Sequence, residues 1–162
     1  MEVGNSSRKF FGCPAADGTK AANQGYALAQ SDLGAMYLNG YGVSQDYKRA
    51  VEWYIKAANQ GFVVAQYNLG SMYSNGKGVS QDYKKAFEWF TKAANQGLAD
   101  AQYVLGNMYS NGNGVSQDIV MACAWGYISN YQDARVYCDK NLTQPQMTRT
   151  LYLMGELKKN IK

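Results

Sequence analysis

The sequence predicts an all-α fold, a solenoid of antiparallel helix pairs, and three observations support this prediction. The chain of 162 residues repeats one block every 36 residues, marked by Trp53, Trp89 and Trp125. Within each block the apolar residues recur at the spacing of one helix face. Glycine and asparagine interrupt this pattern once in every block. Units of this size stack on their neighbours, because a single unit does not cover its own apolar face.

Each unit is predicted to hold two helices, and the second unit shows the pattern well. Its first apolar stripe consists of Ala65, Leu69, Met72 and Tyr73. Gly76 is expected to end this helix in a left-handed conformation, and Gly78 gives the chain a second permissive position before it reverses. Either Ser80 or Asp82 is expected to cap the next helix. The predicted inward stripe of that helix is Ala86, Trp89, Phe90 and Ala93.

A glycine recurs in the middle of every predicted first helix, at Gly34, Gly70 and Gly106. Glycine at such a position costs on the order of 1 kcal/mol relative to alanine. We therefore expect it to allow close approach of the second helix, with the tryptophan of the unit filling the space beside this contact. The tryptophans could instead form a ligand-binding ladder, but aromatic stripes at helical spacing usually pack inward.

The predicted solenoid occupies residues 21–162 and follows an irregular N-terminal arm at 1–20. Residues 21–28 match only the end of a unit, so we interpret them as part of an incomplete preceding pair. Residues 131–162 are predicted to cap the solenoid with helices, because a solenoid end must cover the last apolar face. The three units lie in the frames 29–64, 65–100 and 101–130, the last of which diverges at its end.

The start of the final helix is also predicted. Thr143 is expected to be its N-cap, with Gln146 reaching back as in a capping box and Pro145 in the first turn. The residues predicted to face the last helix pair are Met147, Leu151, Met154 and Ile161.

The composition argues against several kinds of site. The chain has no histidine, which excludes Ser-His-Asp and Cys-His catalysis and removes a common zinc ligand. Its three cysteines are too few for a four-thiolate site and lie outside any C-x-x-C arrangement. We therefore predict no catalytic residue, no metal and no cofactor.

Charge and hydropathy limit the partners. The net charge of +4 is mild, and acidic residues lie one helical turn from many of the lysines, so we expect no nucleic-acid partner. No apolar run is long enough for a membrane-spanning helix, and no signal peptide is recognisable at the start of the sequence. We expect a monomer.

The repeated residues resemble the Sel-1-like repeat, a relative of the tetratricopeptide repeat. The second unit carries Leu-Gly-x-x-Tyr-x-x-Gly-x-Gly-Val from Leu69 and Trp-x-x-Lys-Ala-Ala-x-Gln-Gly from Trp89. The resemblance covers residues 21 to about 130. It implies a right-handed α/α superhelix that serves as an adaptor for a protein or peptide partner, frequently in bacterial signalling or host-facing roles. It is compatible with a periplasmic or secreted protein and also with a cytoplasmic one.

The resemblance also implies a binding site on the concave face, which the first helices line. Tyrosines there would supply flat contact area, while asparagines and serines would bond to an extended peptide backbone. The alternative for the three asparagines is that they only end helices before glycine. The candidate residues are Tyr67, Tyr103, Ser71, Asn107, Ser74, Ser110, Asn39, Asn75 and Asn111.

Two other functions are considered as alternatives. Resemblance to cysteine-rich relatives implies penicillin binding or β-lactamase-like activity, and Ser6 and Lys9 do spell an S-x-x-K motif. This motif requires S-D-N and K-T-G partners, and neither is present in the sequence. The other alternative is binding of glycans or peptidoglycan, for which the chain carries no dedicated motif.

Cys123 and Cys138 are a candidate disulfide pair. Cys123 holds an inward position, so it is also interpretable as a buried, reduced small hydrophobe. The two cysteines lie at similar distances on either side of a predicted turn near Tyr131, and antiparallel helices would bring them opposite each other. Resemblance to the cysteine-rich branch of the family, in which disulfides join helix pairs, favours the bridge. Cys13 would remain unpaired in the N-terminal arm.

Overall fold

The computed structural model describes residues 15–161, and this part of the chain contains nine α-helices and no β-strand. Helices α2 and α3, α4 and α5, and α6 and α7 form three antiparallel pairs, and each second helix also packs on the first helix of the next pair. The chain is thus a right-handed α/α superhelix, as predicted. The helices are α1 (Ala15–Asn23), α2 (Ala27–Asn39), α3 (Tyr47–Asn59), α4 (Val63–Asn75), α5 (Tyr83–Asn95), α6 (Ala99–Asn111), α7 (Ile119–Ser129), α8 (Gln132–Asn141) and α9 (Gln144–Asn160).

The N-terminal region differs from the prediction in one respect. Residues 15–20, expected to be irregular, belong to α1, which packs against α2. The helix that contains Ala21 and Ala22 therefore begins earlier in the sequence than predicted, and Ala22 is buried. Ser6, Lys9 and Cys13 lie outside the described residues.

An aspartate caps the second helix of each of the three pairs, α3, α5 and α7. The carboxylates of Asp46, Asp82 and Asp118 accept hydrogen bonds from backbone N–H groups in the first turn of the helix, at 2.9–3.1 Å. The cap of α5 is thus Asp82 and not Ser80. Each first helix ends in a left-handed glycine, at Gly40, Gly76 and Gly112, and the prediction for Gly76 is confirmed.

The two helices of each pair meet at the recurrent glycine, which confirms the predicted close approach. A Cβ on Gly34 would lie 2.9 Å from the ring of Tyr54, and one on Gly70 would lie 3.0 Å from the ring of Phe90. At Gly106 the nearest atom is the carbonyl oxygen of Ala122, also at 3.0 Å. A side chain at Gly34 or Gly70 would require movement of the facing ring, and one at Gly106 would require movement of the facing backbone.

The prediction that tryptophan fills this space is wrong for the first two pairs. The residue after the tryptophan, Tyr54 or Phe90, covers the glycine, because one position along a helix turns a side chain by about 100°. Trp53 and Trp89 are half-buried beside the core. The ammonium groups of Lys56 and Lys92 lie 3.9 and 3.8 Å from the centres of their rings.

Glycine also joins one helix pair to the next. Gly78 has φ of +74°, and a Cβ there would overlap the backbone carbonyl of Tyr47 at the start of α3. Gly114 has the same relation to Tyr83 at the start of α5. In the turns of the second and third pairs, this glycine is therefore required both for its left-handed conformation and for packing on the preceding pair.

Glutamines link successive pairs by hydrogen bonds; Gln30 and Gln66 are buried, and Gln60 and Gln96 are exposed. The amide of Gln66 donates to the carbonyl oxygen of Ala58 in the preceding pair at 3.2 Å, and Gln96 donates to Gln66 Oε1 at 2.7 Å. The same arrangement joins Gln30 to Ala22 and Gln60 to Gln30. These amides add a second hydrogen bond to carbonyl groups at the ends of α1 and α3 that already accept one from a backbone N–H group.

The final helix packs on α7. Gln146 Oε1 accepts from both the backbone N–H and the hydroxyl of Thr143, at 2.9 Å each, in agreement with the predicted start. Leu151, predicted to face inward, is 49% exposed. Thr150 is buried in its place, and its hydroxyl donates to the carbonyl oxygen of Val120 at 3.4 Å. The other predicted positions, Met147, Met154 and Ile161, are half-buried.

The contact at Gly70 generates a stability prediction. Gly70→Leu would place a branched side chain against the Phe90 ring, and we expect it to lower the free energy of unfolding by about 1–3 kcal/mol or more. The neighbouring Ser71→Ala, at a half-buried position, is the control and should change stability by about 0.5 kcal/mol or less. Urea denaturation followed by circular dichroism measures both. Equal stability of the two variants would contradict the packing described here.

The hydroxyl of Tyr54 is buried and makes no hydrogen bond of normal geometry to the described part of the chain. Burial raises the pKa of Tyr54 to about 12; the Asn68 side chain acts in the opposite direction as a weak hydrogen-bond partner, and the charge of Asp32 adds a smaller increase. An unpaired buried hydroxyl costs free energy that a phenyl ring does not. The equivalent residue of the next pair is Phe90, which makes the two positions a matched test.

We expect Tyr54→Phe to leave stability unchanged or raise it by about 1 kcal/mol, because it removes the unpaired hydroxyl. The reverse change, Phe90→Tyr, should lower stability by about 1–3 kcal/mol. Thermal unfolding of both variants checks this. A destabilised Tyr54→Phe would mean that the hydroxyl has a partner that stabilises the fold.

Candidate functional site

The three candidate asparagines end the first helices. Asn39, Asn75 and Asn111 are each the last residue before a left-handed glycine, and all three are exposed. Asn39 Nδ2 donates to the carbonyl oxygen of Ala35 at 2.9 Å, and Asn75 Nδ2 donates to that of Ser71 at 2.8 Å. Two of the three amides thus have a local structural role, while their exposed edges still face solvent.

The other polar candidates lie on the outer side of α4 and α6. Ser71, Ser74 and Ser110 are half-buried, and Asn107 is exposed. We call the surface of α2, α4 and α6 to which the nine candidate residues belong the first-helix face. These three helices contain no lysine or arginine.

Each of the two candidate tyrosines contacts a neighbouring helix. Tyr67 is half-buried and lies edge-on to Phe90, with ring centres 5.5 Å apart, and burial raises its pKa. Tyr103 is also half-buried; its ring centre lies 4.7 Å from that of Tyr131, and its hydroxyl donates to Asp133 Oδ2 at 3.2 Å. Both rings therefore contribute to packing as well as to the surface.

A pocket of about 280 Å³ opens between α6, α7 and α8. It brings together three of the candidate binding residues, Tyr103, Asn107 and Ser110, with both cysteines of the candidate pair. The other six candidates lie elsewhere on the first-helix face. The complete lining is Tyr103, Gly106, Asn107, Ser110, Ala122, Cys123, Gly126, Asp133, Ala134, Tyr137 and Cys138.

The pocket has a cause in the sequence. Gly126 stands at the repeat position that Tyr54 and Phe90 hold in the first two pairs. In those pairs an aromatic ring covers the recurrent glycine, whereas Gly126 has no side chain to place beside Gly106. The signal in the sequence that could have revealed the pocket is the loss of this ring when the three units are aligned.

A disulfide forms part of the pocket wall. The structure joins Cys123 of α7 to Cys138 of α8, with their Cα atoms 5.6 Å apart. Both residues are buried, and Cys138 is the sole buried residue of α8. The bridge therefore replaces the apolar contact by which the other helices are held.

Hydrogen bonds between tyrosine and aspartate fasten the two ends of α8. The hydroxyl of Tyr131 donates to Asp100, and this bond raises the pKa of Tyr131. The hydroxyl of Tyr127 donates to Asp139, and burial together with this bond raises the pKa of Tyr127 to about 12. Neutral hydroxyls paired with carboxylates are stable at neutral pH, so both bonds hold α8 under ordinary conditions.

Other chemistry finds little support in the described residues. No cluster of cysteine, aspartate and glutamate in residues 15–161 is arranged to hold a metal ion. None of the helices in this part of the chain is both long and apolar enough to cross a bilayer. The site is thus a pocket and an adjoining polar and aromatic face, without groups placed for metal chemistry.

The repeated pairs, their glycine contacts and their capped turns define an α-solenoid repeat protein. The family model described as Sel1 repeat matches residues 27–62, 63–98 and 99–128, so the chain belongs to the Sel1 repeat family. Each matched unit begins at the first residue of α2, α4 or α6. Proteins of this family generally act as helical scaffolds for protein interactions.

Solved structures of bacterial proteins are similar to this chain. A protective antigen of uropathogenic Escherichia coli strains, which displays an SLR fold, is 38% identical with a TM-score of 0.81, over 90% of this chain and 32% of the other. A Sel1 repeat protein of Oxalobacter formigenes is 36% identical with a TM-score of 0.69, over 76% and 96% of the two chains. Cysteine rich protein B of Helicobacter pylori is 25% identical with a TM-score of 0.58, over 78% and 98%.

The present chain therefore spans about a third of the length of the Escherichia coli antigen. No curated protein matches the chain.

The disulfide generates a prediction about α8. The two bridged cysteines are 15 residues apart in sequence. By restricting the unfolded chain, a bridge over a loop of this length raises the free energy of unfolding by about 3 kcal/mol. We expect Cys123→Ala/Cys138→Ala to lose amide hydrogen-exchange protection in α8 while α3 to α5 keep theirs. Val136→Ala, at an exposed position of α8, is the control and should keep it. Unchanged protection of α8 in the double variant would show that the tyrosine–aspartate bonds suffice.

Proposed function

We propose that this chain is a non-catalytic scaffold that binds a peptide or protein partner on the first-helix face, the concave side of the superhelix. The observation that carries this proposal is the surface itself. It presents exposed amides, half-buried serines and two tyrosine rings from successive repeats, with no lysine or arginine on its helices. Amides and hydroxyls suit the backbone of an extended peptide, and tyrosine adds contact area at low entropic cost.

The context of the partner is also a proposal. The Escherichia coli protein that resembles this chain is a protective antigen, which supports a bacterial protein in a host-facing or signalling role. The chain spans 32% of that protein, so the likeness concerns the repeats they share. We further propose that the chain works as a monomer.

The absence of catalysis belongs to the same proposal. Sel1 repeat proteins are generally non-catalytic helical scaffolds. In the part of the chain that the structure describes, the pocket contains neither a base beside a nucleophile nor a metal-ligand cluster. Penicillin binding and glycan binding gain no support from the described residues.

Substitutions on the two sides of the solenoid test the proposal. Asn75→Arg/Asn107→Arg adds two bulky cations to exposed positions of the first-helix face. Glu52→Arg/Glu88→Arg changes exposed positions of the second helices, adds the larger charge of +4 against +2, and is the control for a general effect of positive charge. We avoid Tyr67→Ala as the main variant because the Tyr67 ring packs on Phe90, and its loss would also reduce stability.

Partners are captured from bacterial lysate and host extract on immobilised protein and identified by mass spectrometry. We expect a partner that the unmodified protein and the control retain and the first-helix variant loses, with binding weakened about tenfold or more by blocked contacts. Melting temperatures show that both variants remain folded. Equal capture by the first-helix variant, or loss with the control alone, would contradict the proposal.

A further inference from the structure

We propose that the pocket of the third helix pair is an anchor site for a partner segment in which an aromatic side chain lies next to a cationic group. The ring would occupy the floor of the pocket, and the positive charge would pair with Asp133 at its rim. This inference rests on the proposed function, because it specifies the chemistry of the partner on the same face. Shape and charge support it separately.

The pocket lies at the position where the third pair lacks a ring. In the first two pairs, Tyr54 and Phe90 cover Gly34 and Gly70 with an aromatic side chain of the protein itself. In the third pair the equivalent residue is Gly126; the α7 backbone covers Gly106, Ala134 of α8 lies against Gly126, and a pocket of about 280 Å³ remains between the three helices. A cavity of roughly 150 Å³ already accommodates benzene, so the space is sufficient for a phenyl or phenol group.

The floor of the pocket suits an apolar ring. It consists of small residues and the disulfide: Gly106, Ala122, Gly126, Ala134 and the bridge from Cys123 to Cys138. None of these side chains offers a strong hydrogen-bonding group that a ring would leave unpaired. Burial of aromatic surface on this floor therefore costs no polar desolvation of the side chains beneath it.

The rim carries the charge. Asp133 is the one charged residue among those that line the pocket, and its side chain accepts a single hydrogen bond, from Tyr103, among the contacts of residues 15–161. None of the ion pairs in the described part of the chain involves Asp133. The nearby guanidinium of Arg135 instead donates to Asn130 Oδ1 at 3.3 Å. The carboxylate is therefore available to an incoming cation.

Two tyrosines strengthen the preference for a cation. Tyr103 and Tyr137 stand on opposite helices of the rim, and the π-face of a tyrosine attracts a positive group. Asp100, which accepts a hydrogen bond from Tyr131, adds a second negative charge on α6 close to this rim. Asn107 and Ser110 complete the α6 side and are suited to the backbone of the partner segment.

A minimal probe tests both features without knowledge of the partner. 2-Phenylethylammonium carries a ring and an ammonium group; 2-phenylethanol and phenylacetate have the same ring with a neutral and a negative group. Titrations are followed by ¹H–¹⁵N NMR on the oxidised full chain. We expect saturable shifts at Gly106, Gly126 and Ala134 in the millimolar range for a ligand of this size, with phenylacetate binding about tenfold more weakly.

Variants separate the ring from the charge. Asp133→Asn keeps the shape of the rim and should remove the preference for ammonium over alcohol, whereas Asp32→Asn, on α2 away from the pocket, should leave it intact. Gly126→Phe introduces a ring at the equivalent position, against Ala134 of α8, and should abolish binding. Ala134→Leu fills the pocket from α8 and gives the same test if Gly126→Phe does not fold, as judged by circular dichroism.

The outcomes distinguish this inference from the proposed function. Absence of saturable shifts at the pocket, equal affinity for the three probes, or unchanged binding by folded Ala134→Leu would each overturn the anchor site. Partner capture that Asp133→Asn and Ala134→Leu leave unchanged, while Asn75→Arg/Asn107→Arg abolishes it, would overturn the anchor site and leave the scaffold function standing. Probe binding as described, together with capture lost in Asp133→Asn, supports both.

Discussion

The close contact between the two helices of each pair is the constraint on which the rest of the structure depends. At Gly34, Gly70 and Gly106 the second helix lies so near that a Cβ on the glycine would be about 3 Å from its atoms. This approach decides which residue of the second helix becomes the core and which remains at the surface. It also sets the spacing at which the next pair stacks, because each second helix packs on the following first helix. Burial of the apolar stripes then stabilises an arrangement whose geometry the glycines determine.

Much of this architecture could be predicted from the sequence, because the period, the glycines and the aspartate caps are local signals that each unit repeats. Errors arose where the outcome depended on rotation about a helix axis. Tyr54 and not Trp53 covers Gly34, and Thr150 and not Leu151 faces the core. In both cases a shift of one position changes the face, and hydrophobicity alone favoured the larger apolar residue. The pocket was missed for another reason: it is a space bounded by three helices, and its cause, Gly126, is the absence of a side chain.

The last repeat departs from the others in a coordinated way. Where the second pair has Phe87 and Phe90, the third has Cys123 and Gly126. Loss of two aromatic rings removes the apolar surface on which a following helix would normally pack, and α8 buries only Cys138. A covalent bond and tyrosine–aspartate hydrogen bonds take over the attachment that hydrophobic burial provides elsewhere. The same two substitutions thus create both the pocket and the need for the bridge beside it.

The glutamine hydrogen bonds have a consequence for how proteins of this kind change in length. Gln66 bonds to the preceding pair and receives Gln96 from its own, so every regular unit presents the same donor and acceptor at its two ends. Duplication of a whole 36-residue unit within the regular region would therefore join both neighbours through contacts they already make. The third unit does not share this freedom, because Cys123 and Gly126 commit it to α8. Units can therefore be added by duplication before the third unit, and the pocket remains with the third unit and α8.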